Sequence, residues 1–289
     1  MNLADETIRI YDCMLTRFNK YLVENNVQEL EQVDKEFMQG YLSYLSANVR
    51  KSSVRDYYTA LNTFFNYLAS NNLLPVNPLL GVAKPKGSKR LARSFTPQEL
   101  RSMFDTVDKS TFLGFRDYTI LSILLGTGIR KSELIGIKNL DIYLEISMIK
   151  IIGKGDKQRN IPLTEILRKI IVKYLKLRME YITENKLTNS SYLIINRNGN
   201  RLGLSGIDSL FKRIKSYSGV VGERVSSHTI RHTFAKSFLL NGGDIFTLQR
   251  LMGHEDISTT KKYISLNDND IRVQNDRYNP LENDRWRYF

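Results

Sequence analysis

The stretch "SSHTIRHTFA", residues 226–235, carries more information about the fold and function of this chain than any other of its length. Two serines followed by an apolar pattern are typical of a helix that begins at a side-chain N-cap. His228 and Arg231 are three positions apart, so such a helix would place both side chains on one face just past its first residue. The pair is therefore a candidate functional site, whereas the ordinary explanation of His232 is a buried, hydrogen-bonded core histidine.

The same stretch raises the question of a metal site. His228 and His232 are four positions apart, a spacing that zinc ligands on a helix also use. The one other histidine is His254 and the one cysteine is Cys13, so a zinc site would lack ligands. "GTGIRK" lacks the third glycine of a dinucleotide fingerprint, and "GKGDK" lacks the spacing of a P-loop. The sequence therefore predicts neither a metal nor a cofactor.

Three further segments hold polar groups in unusual places. "GTGIRKSEL" puts Arg130 directly after a buried helix, with Glu133 one turn further on. "MIKIIGKGDKQRNIPL" reads as a β-hairpin with Lys154 in or beside the turn. "MGHEDISTTKKYI" contains His254 and Tyr263. Taken singly, each has an ordinary explanation: a surface ion pair, a solvated turn, or a half-buried aromatic.

Composition favours a nucleic-acid partner. The 289 residues have 42% hydrophobic and 25% charged content, as ordinary globular proteins do, and a formal charge of +13. Residues 1–83 hold 7 Lys and Arg against 9 Asp and Glu, whereas residues 84–289 hold 36 against 21. Such an excess indicates a polyanionic partner. Because the charges are spread over the whole second region, a nucleic acid is favoured over a membrane surface, which would suit one basic amphipathic helix.

The sequence also predicts the compartment. The longest apolar run is too short to span a bilayer, and the acidic N-terminus has no apolar signal core, so we expect a cytoplasmic protein without membrane contact. The single Cys13 excludes an internal disulfide and fits a reducing compartment. It lies in an amphipathic helical pattern, which predicts a small packed hydrophobe.

The pattern of elements predicts a mainly α fold in two domains, with a small β-sheet in the second. Residues 1–83 form a helical module, with helices over 5–25 and 34–47 and a third that runs from an N-cap at Ser52 or Ser53 to Asn71. Residues 84–93 have the composition of a basic linker. Residues 94–289 form the second domain, with a tail over 266–289. Its first helix is predicted to begin at Thr96, in a capping box with Glu99, and a short helix is predicted from 130. Further helices are predicted over 112–125, 163–183, 205–217, 228–241, 244–252 and 258–265. Hairpins are predicted over 148–163 and around "NGN".

The order of the four motifs changes the interpretation. "GTGIRKSEL", "IIGKGDKQRNIPL", "HTIRHTFA" and "MGHEDISTTKKY", in this sequence, resemble the signature of the tyrosine recombinases, also called the phage-integrase family. The resemblance covers roughly residues 95–270, and the helical module in front resembles the core-binding domain of that family. It implies an α+β catalytic domain, and a site-specific DNA recombinase that needs no cofactor.

The resemblance also implies a role for each motif residue. Arg130 and Arg231 correspond to the two arginines that bind the nonbridging oxygens of the scissile phosphate, and Tyr263 corresponds to the nucleophile. His228 and His254 correspond to the two histidine positions of the site. The hairpin lysine and the acidic residue that supports the first arginine correspond to Lys154 and Glu133, with Lys157 as a rival for the hairpin role.

Partners follow from the same interpretation. We expect double-stranded DNA to be bound by a set of basic residues from the linker and the hairpin, namely Lys84, Lys86, Lys89, Arg90, Arg93, Lys157 and Arg159. Family members often donate a C-terminal segment to a neighbouring subunit, so the tail over 266–289 is either a contact in a tetramer on DNA or a polar tail that packs on nothing. The length of the tail favours the recombinase of a mobile element over a chromosome-dimer resolvase.

Two other functions remain open at the level of sequence. The first is a DNA-binding protein that has kept the fold and lost catalysis, which the presence of every motif residue argues against. The second is a monomeric type IB topoisomerase, which shares the chemistry without strand exchange. The separate N-terminal module and the tail favour the recombinase. The target sequence, the accessory factors and the order of strand cleavage are not encoded in any readable pattern.

Overall fold

A computed structural model describes residues 5–86, 93–220, 225–253 and 275, with the backbone alone at residues 5–7 and 154. The chain divides into two compact units, Met1–Arg90 and Leu91–Phe289. No helix in the described part of the chain combines the length and the apolar character needed to cross a membrane.

The first unit is helical, as predicted. The α-helices in its described residues are α1, Asp5–Glu24; α2, Lys35–Asn48; and α3, Lys51–Ser70. Apolar residues at spacings of three and four bury one side of each helix, and the core formed between them includes Met38, Tyr41, Leu61 and Phe65. The segment after α3 closes over this core, where the buried hydroxyl of Tyr58 donates to the carbonyl of Val82 over 3.0 Å.

Two predictions about the first unit were wrong in detail. Helix α3 begins at Lys51 with Arg50 at the N-cap, so Ser52 and Ser53 lie inside the first turn and do not cap it. Cys13 is exposed rather than packed, because the core-facing positions of α1 include Phe18 and Leu22, and Cys13 lies on the other side of the helix. Residue type alone therefore predicted neither the first residue of α3 nor the buried face of α1.

The second unit is mostly helical around a small sheet. Its helices are α4, Pro97–Asp105; α5, Phe112–Thr127; α6, Lys131–Gly136; α7, Glu165–Glu184; α8, Leu204–Tyr217; α9, Ser227–Leu240; and α10, Ile245–Met252. Three antiparallel strands, β1 (Ile142–Tyr143), β2 (Met148–Ile152) and β3 (Gln158–Pro162), form a sheet in the order β1-β2-β3. Helix α5 is buried around most of its circumference and lies at the centre of the core.

Local sequence signals set the ends of the helices that matter for the site. Thr96 and Glu99 form the predicted capping box at the start of α4, with Pro97 at the first helical position. Helix α5 ends at Gly128, which has a positive φ of 63° that a glycine adopts without strain. Gly253, with φ of 66°, ends α10 in the same way. Gly128 lies two residues before Arg130, and Gly253 directly precedes His254.

The hairpin of β2 and β3 was predicted correctly, whereas the predicted hairpin around "NGN" is reduced to an isolated bridge between Ile195 and Arg201. The side chain of Asn196 accepts from the backbone N–H groups of Asn198 and Asn200, and this turn replaces the ladder that longer strands would need. The helix predicted over 258–265 lies outside the described residues.

Candidate active site

Arg231 is buried at the junction of three helices. Ser226 caps α9 by accepting from the N–H of Thr229, and Arg231 follows one turn later on the inner face, 3% exposed. Its guanidinium donates from Nη1 to the carbonyl of Gly128 over 2.6 Å and from Nη2 to the carbonyl of Met252 over 2.9 Å. Both carbonyls lie at the C-terminal ends of helices, whose partial negative charge stabilises a buried cation. Arg231 therefore joins the ends of α5 and α10.

Arg130 begins the next helix two residues after Gly128. Its backbone N–H donates to Oε2 of Glu133 over 2.8 Å, and its Nη1 donates to Oε1 over 3.0 Å. The side chain is 44% exposed, so a ligand can reach the guanidinium. Because Arg231 binds the carbonyl of Gly128, the motif on α9 and the motif between α5 and α6 meet at one place in the structure.

Glu133 is a buried carboxylate that accepts hydrogen bonds from two arginines. It is 5% exposed, and Arg159 donates to it from Nη1 over 3.0 Å and from Nη2 over 2.9 Å, in addition to the bonds from Arg130. Burial would raise the pKa of Glu133, but the hydrogen bonds and charges of Arg159 and Arg130 together lower the pKa below its ordinary value. Glu133 is therefore a fixed negative charge that holds both guanidiniums in place.

Arg159 has a position that the sequence did not indicate. The sequence predicted it to bind DNA, a prediction that stays open, but its guanidinium is engaged within the protein and its side chain is 14% exposed. Besides the two bonds to Glu133, Nε donates to the carbonyl of Leu251 over 2.8 Å. A Cβ added to Gly253 would lie 2.8 Å from Nη1 of Arg159, so only glycine allows this close approach. Arg159 thus connects β3 to the end of α10.

The signal for this position was present in the hairpin. Ile151 on β2 pairs with Arg159 on β3, and directly opposed residues project from the same face of a sheet. Ile151 is fully buried, so its partner had to project inward as well. An inward guanidinium needs acceptors for its N–H groups, and a carboxylate such as Glu133, already singled out, also compensates its charge.

The two histidines of α9 are in contact. Nε2 of His232 lies 3.0 Å from Nε2 of His228, and the rings are nearly perpendicular, with centroids 4.5 Å apart. Burial, His228 and Arg231 together lower the pKa of His232 to about 4. His232 is therefore neutral at neutral pH, and the spacing that raised the question of a metal instead gives a hydrogen bond. Among the residues that the structure describes, no three His, Cys, Asp or Glu side chains form a group that could hold a metal ion.

The hairpin turn lies beside this cluster. Lys154 begins the 3₁₀ turn Lys154–Asp156 between β2 and β3, which the bond from the N–H of Gly153 to the carbonyl of Lys157 closes over 2.8 Å. A Cβ at Gly153 would lie 3.5 Å from Oε1 of Glu133, so the backbone that carries Lys154 runs next to the Glu133 carboxylate. Lys157 is exposed at the end of the turn.

The remaining site residues fall in two groups. His254 and Tyr263 lie outside the described residues, although His254 directly follows Gly253, the cap of α10 beside Arg159. Of the predicted DNA-binding residues in the linker, Lys84 and Lys86 are exposed, Arg93 pairs with Glu99, and Lys89 and Arg90 lie outside the described residues.

Comparison with known proteins gives a consistent result. Residues 93–270 match the phage integrase family, and residues 4–72 match the phage integrase SAM-like domain. The chain is 32% identical over 272 residues to tyrosine recombinase XerC of Staphylococcus epidermidis (strain ATCC 35984), covering 94% of this chain and 90% of that protein.

Two solved structures have the same fold. The XerH site-specific recombinase bound to palindromic difH substrate aligns with a TM-score of 0.77 at 22% identity, over 93% of this chain and 79% of that one. The Tn1549 transposon integrase in complex with a circular intermediate DNA aligns with a TM-score of 0.74 at 18% identity, over 96% and 94%. The chain belongs to the phage integrase family, and it is a tyrosine recombinase, an enzyme that breaks and rejoins DNA.

Proposed function

We propose that Arg130 and Arg231 bind the nonbridging oxygens of a scissile phosphate in a site-specific recombination reaction. The observation that carries this proposal is the 2.6 Å bond from Arg231 to the carbonyl of Gly128, two residues before Arg130. Attack on a phosphodiester increases the charge on the equatorial oxygens, and guanidiniums are permanently charged planar donors that match them. Fixed cations at that place stabilise the transition state without reorganisation.

The remaining motif residues supply the nucleophile and the proton transfers. The hydroxyl oxygen of Tyr263 attacks phosphorus, and its proton passes to His228, since a protonated tyrosine is a poor nucleophile. The bond from phosphorus to the 5′-oxygen breaks, and Lys154 gives a proton to the leaving oxygen. His254 occupies the second histidine position beside the phosphate. The products are a 3′-phosphotyrosine and a free 5′-hydroxyl.

Rejoining reverses these steps with a 5′-hydroxyl as the nucleophile. The phosphotyrosyl bond retains the energy of the phosphodiester, so no ATP is consumed. Glu133 supports the reaction by holding Arg130, whose contacts to it are described above. Lys157, exposed at the end of the same turn, is the alternative proton donor to Lys154.

We assign the basic surface of the chain to duplex DNA. The excess of 36 Lys and Arg over 21 Asp and Glu in residues 84–289 supports this assignment. Residues 1–83 act as a core-binding domain and residues 84–93 as a basic linker along the phosphate backbone, with residues 94–289 as the catalytic domain. The proposed DNA-binding residues are Lys84, Lys86, Lys89, Arg90, Arg93 and Lys157. Arg159, which the sequence also predicted to bind DNA, is left out of this proposal because its guanidinium is engaged by Glu133 and Leu251.

The assembly and the biological task belong to the same proposal. Four subunits pair two DNA sites, and the segment 266–289 docks on a neighbouring subunit. The enzyme acts in the cytoplasm, where it integrates or excises a mobile element or resolves DNA multimers. Oligomers that form only on DNA, and are lost when the chain is truncated after residue 265, would favour this assembly over a monomeric topoisomerase.

Covalent capture of the cleavage product tests the chemistry without knowledge of the target site. Purified protein is mixed with genomic DNA in EDTA and quenched with SDS, and DNA attached to protein is recovered and its ends sequenced. Tyr263→Phe is run in parallel, with Tyr217→Phe as a matched control at a tyrosine that is 75% exposed. We expect 3′-linked adducts at a defined sequence for the wild type and for Tyr217→Phe, and none for Tyr263→Phe.

The other outcomes overturn parts of the proposal. Adducts that persist with Tyr263→Phe would move the nucleophile to another residue. DNA binding without adducts in either protein would favour the non-catalytic reading. Adducts that lack a defined sequence, from a protein that stays monomeric on DNA, would favour the topoisomerase.

A further inference from the structure

The reaction described above gives a role to His228 but none to His232, its hydrogen-bonded neighbour. His228 is exposed at the surface of the site, whereas His232 is half-buried one turn behind it on α9. Their Nε2 atoms lie 3.0 Å apart and the rings are at 88°. At this distance one nitrogen must carry the proton and the other must accept it.

The surroundings of the pair decide which ring can change its charge. His232 is half-buried and lies next to the permanent charge of Arg231, so a second charge there is unfavourable, in keeping with its lowered pKa of about 4. His228 lies on the outer side of the pair and is exposed to solvent. His232 is therefore the neutral partner, and its Nε2 is the acceptor of the contact when its ring proton is on Nδ1.

We propose that His232 is a positioning residue for DNA cleavage, which acts by accepting a hydrogen bond from Nε2 of His228. This inference rests on the proposed role of His228 as the proton acceptor for the tyrosine. An imidazolium has both nitrogens protonated, and a fixed acceptor for its Nε2–H stabilises that charged form of His228. His228 keeps its Nε2 proton on His232 and takes the tyrosine proton at Nδ1, while His232 changes neither its charge nor its proton count.

A second consequence of the contact is orientation. A solvent-exposed imidazole rotates about two side-chain bonds, whereas a ring tied at Nε2 to a half-buried neighbour presents one edge to the substrate. Preorganised groups cost less to bring to the transition state than mobile ones. The reading as a two-histidine metal site is disfavoured, because Arg231 lies beside the pair and a cation would be repelled.

The test compares two replacements of His232 that differ only in hydrogen bonding. His232→Gln places an amide near the position of Nε2 and can still accept, whereas His232→Leu has similar bulk and cannot. Each is combined with His228→Ala in a double-mutant cycle. The assay is single-turnover formation of the covalent adduct in EDTA, on a DNA duplex that carries the site recovered from the adduct sequencing, with DNA affinity and thermal midpoint measured for every variant.

We expect His232→Leu to slow adduct formation by about 10- to 100-fold, by analogy with the loss of groups that orient metal-ligating histidines. His232→Gln should restore most of the rate. In the His228→Ala background, His232→Leu should cause no further loss, because the effect is transmitted through His228.

Each contrary result is informative. Equal losses from His232→Leu with and without His228 would make the role of His232 purely structural and overturn the inference. So would a Gln variant as slow as the Leu variant while both remain folded and bind DNA. If the wild type itself forms no adduct, the proposed function fails, and that failure is distinct because it precedes any comparison of variants.

Discussion

Arg159 and Glu133 form an ion pair with two hydrogen bonds, of 3.0 and 2.9 Å, across 26 positions of sequence. The same carboxylate binds Arg130, and the same guanidinium binds the carbonyl of Leu251. The hairpin, the start of α6 and the end of α10 are thus held by one buried pair. Loss of Glu133 would remove the negative charge that compensates both guanidiniums, and Arg159, at 14% exposure, would have little access to water in its place.

Replacement of Glu133 by Gln should therefore destabilise the protein strongly. The amide keeps the size of the side chain but removes the negative charge that faces two guanidiniums. We expect the free energy of unfolding to fall by about 3 kcal/mol, measured by urea denaturation. Glu165→Gln is the matched control, because its pair with Lys169 is solvent-exposed on α7, and it should cost less than about 0.5 kcal/mol. Equal losses in the two variants would contradict a special role for the buried pair.

Whether Arg159 contacts a DNA phosphate can be tested through the salt dependence of DNA binding. A residue that contacts phosphate contributes about 0.9 to the slope of log affinity against log salt. Since the guanidinium of Arg159 is engaged by Glu133 and Leu251, we expect Arg159→Met to leave this slope unchanged at a temperature where the variant is folded. Lys157→Met, at an exposed residue of the same hairpin, should lower the magnitude of the slope by about 0.9. The reverse pattern would support the sequence-based prediction that Arg159 binds DNA.

Elements encoded by local chemistry were predictable from the sequence. The capping box of Thr96 and Glu99, the glycine end of α5 and the hairpin of β2 and β3 each depend on a few neighbouring residues, and the structure has all three. The short strand β1, over Ile142–Tyr143, was not predicted, because two residues carry no detectable alternation.

The site was harder to predict because its bonds are long-range. The sequence identified Arg130 and Glu133 as a pair, but the second partner of Glu133 and the acceptors of Arg231 depend on tertiary packing. Arg231 reaches a carbonyl 103 positions away, and a backbone carbonyl has no signature in the sequence. The i,i+4 spacing of His228 and His232 was visible, and the choice between metal ligands and a hydrogen-bonded pair needed the 3.0 Å distance.

Gly128 should be intolerant of any side chain. Its φ of 63° disfavours a Cβ, and that Cβ would lie 2.2 Å from Cδ1 of Phe234 on α9. We expect Gly128→Ala to lower the free energy of unfolding by more than about 2 kcal/mol and to reduce adduct formation, because Arg231 binds the carbonyl of this residue. Gly219→Ala separates the two causes, since its φ is 65° but a Cβ there meets nothing within 4 Å. It should cost only the strain of the backbone, about 1 kcal/mol, with activity retained.

His232 should make stability depend on pH. Its pKa lies at about 4 in the folded protein against 6.5 ordinarily, because burial and the neighbouring His228 and Arg231 disfavour the charged form. As pH falls below 6.5 the unfolded chain takes up a proton that the folded chain does not, so stability is lost between pH 6.5 and about 4 and is unaffected above that window.

His232→Gln removes this titration and leaves the carboxylates in place, so the difference between wild type and variant isolates it. Between pH 7 and pH 4.5 (values chosen to bracket the window, with about 1.4 kcal/mol per pKa unit) the wild type should lose roughly 1–3 kcal/mol more than the variant in urea unfolding. Parallel pH profiles for the two proteins would mean that His232 titrates normally in the folded state. In that case His232 would take up a proton near neutral pH. It could then not remain the neutral acceptor for His228, and the role inferred for it would not stand.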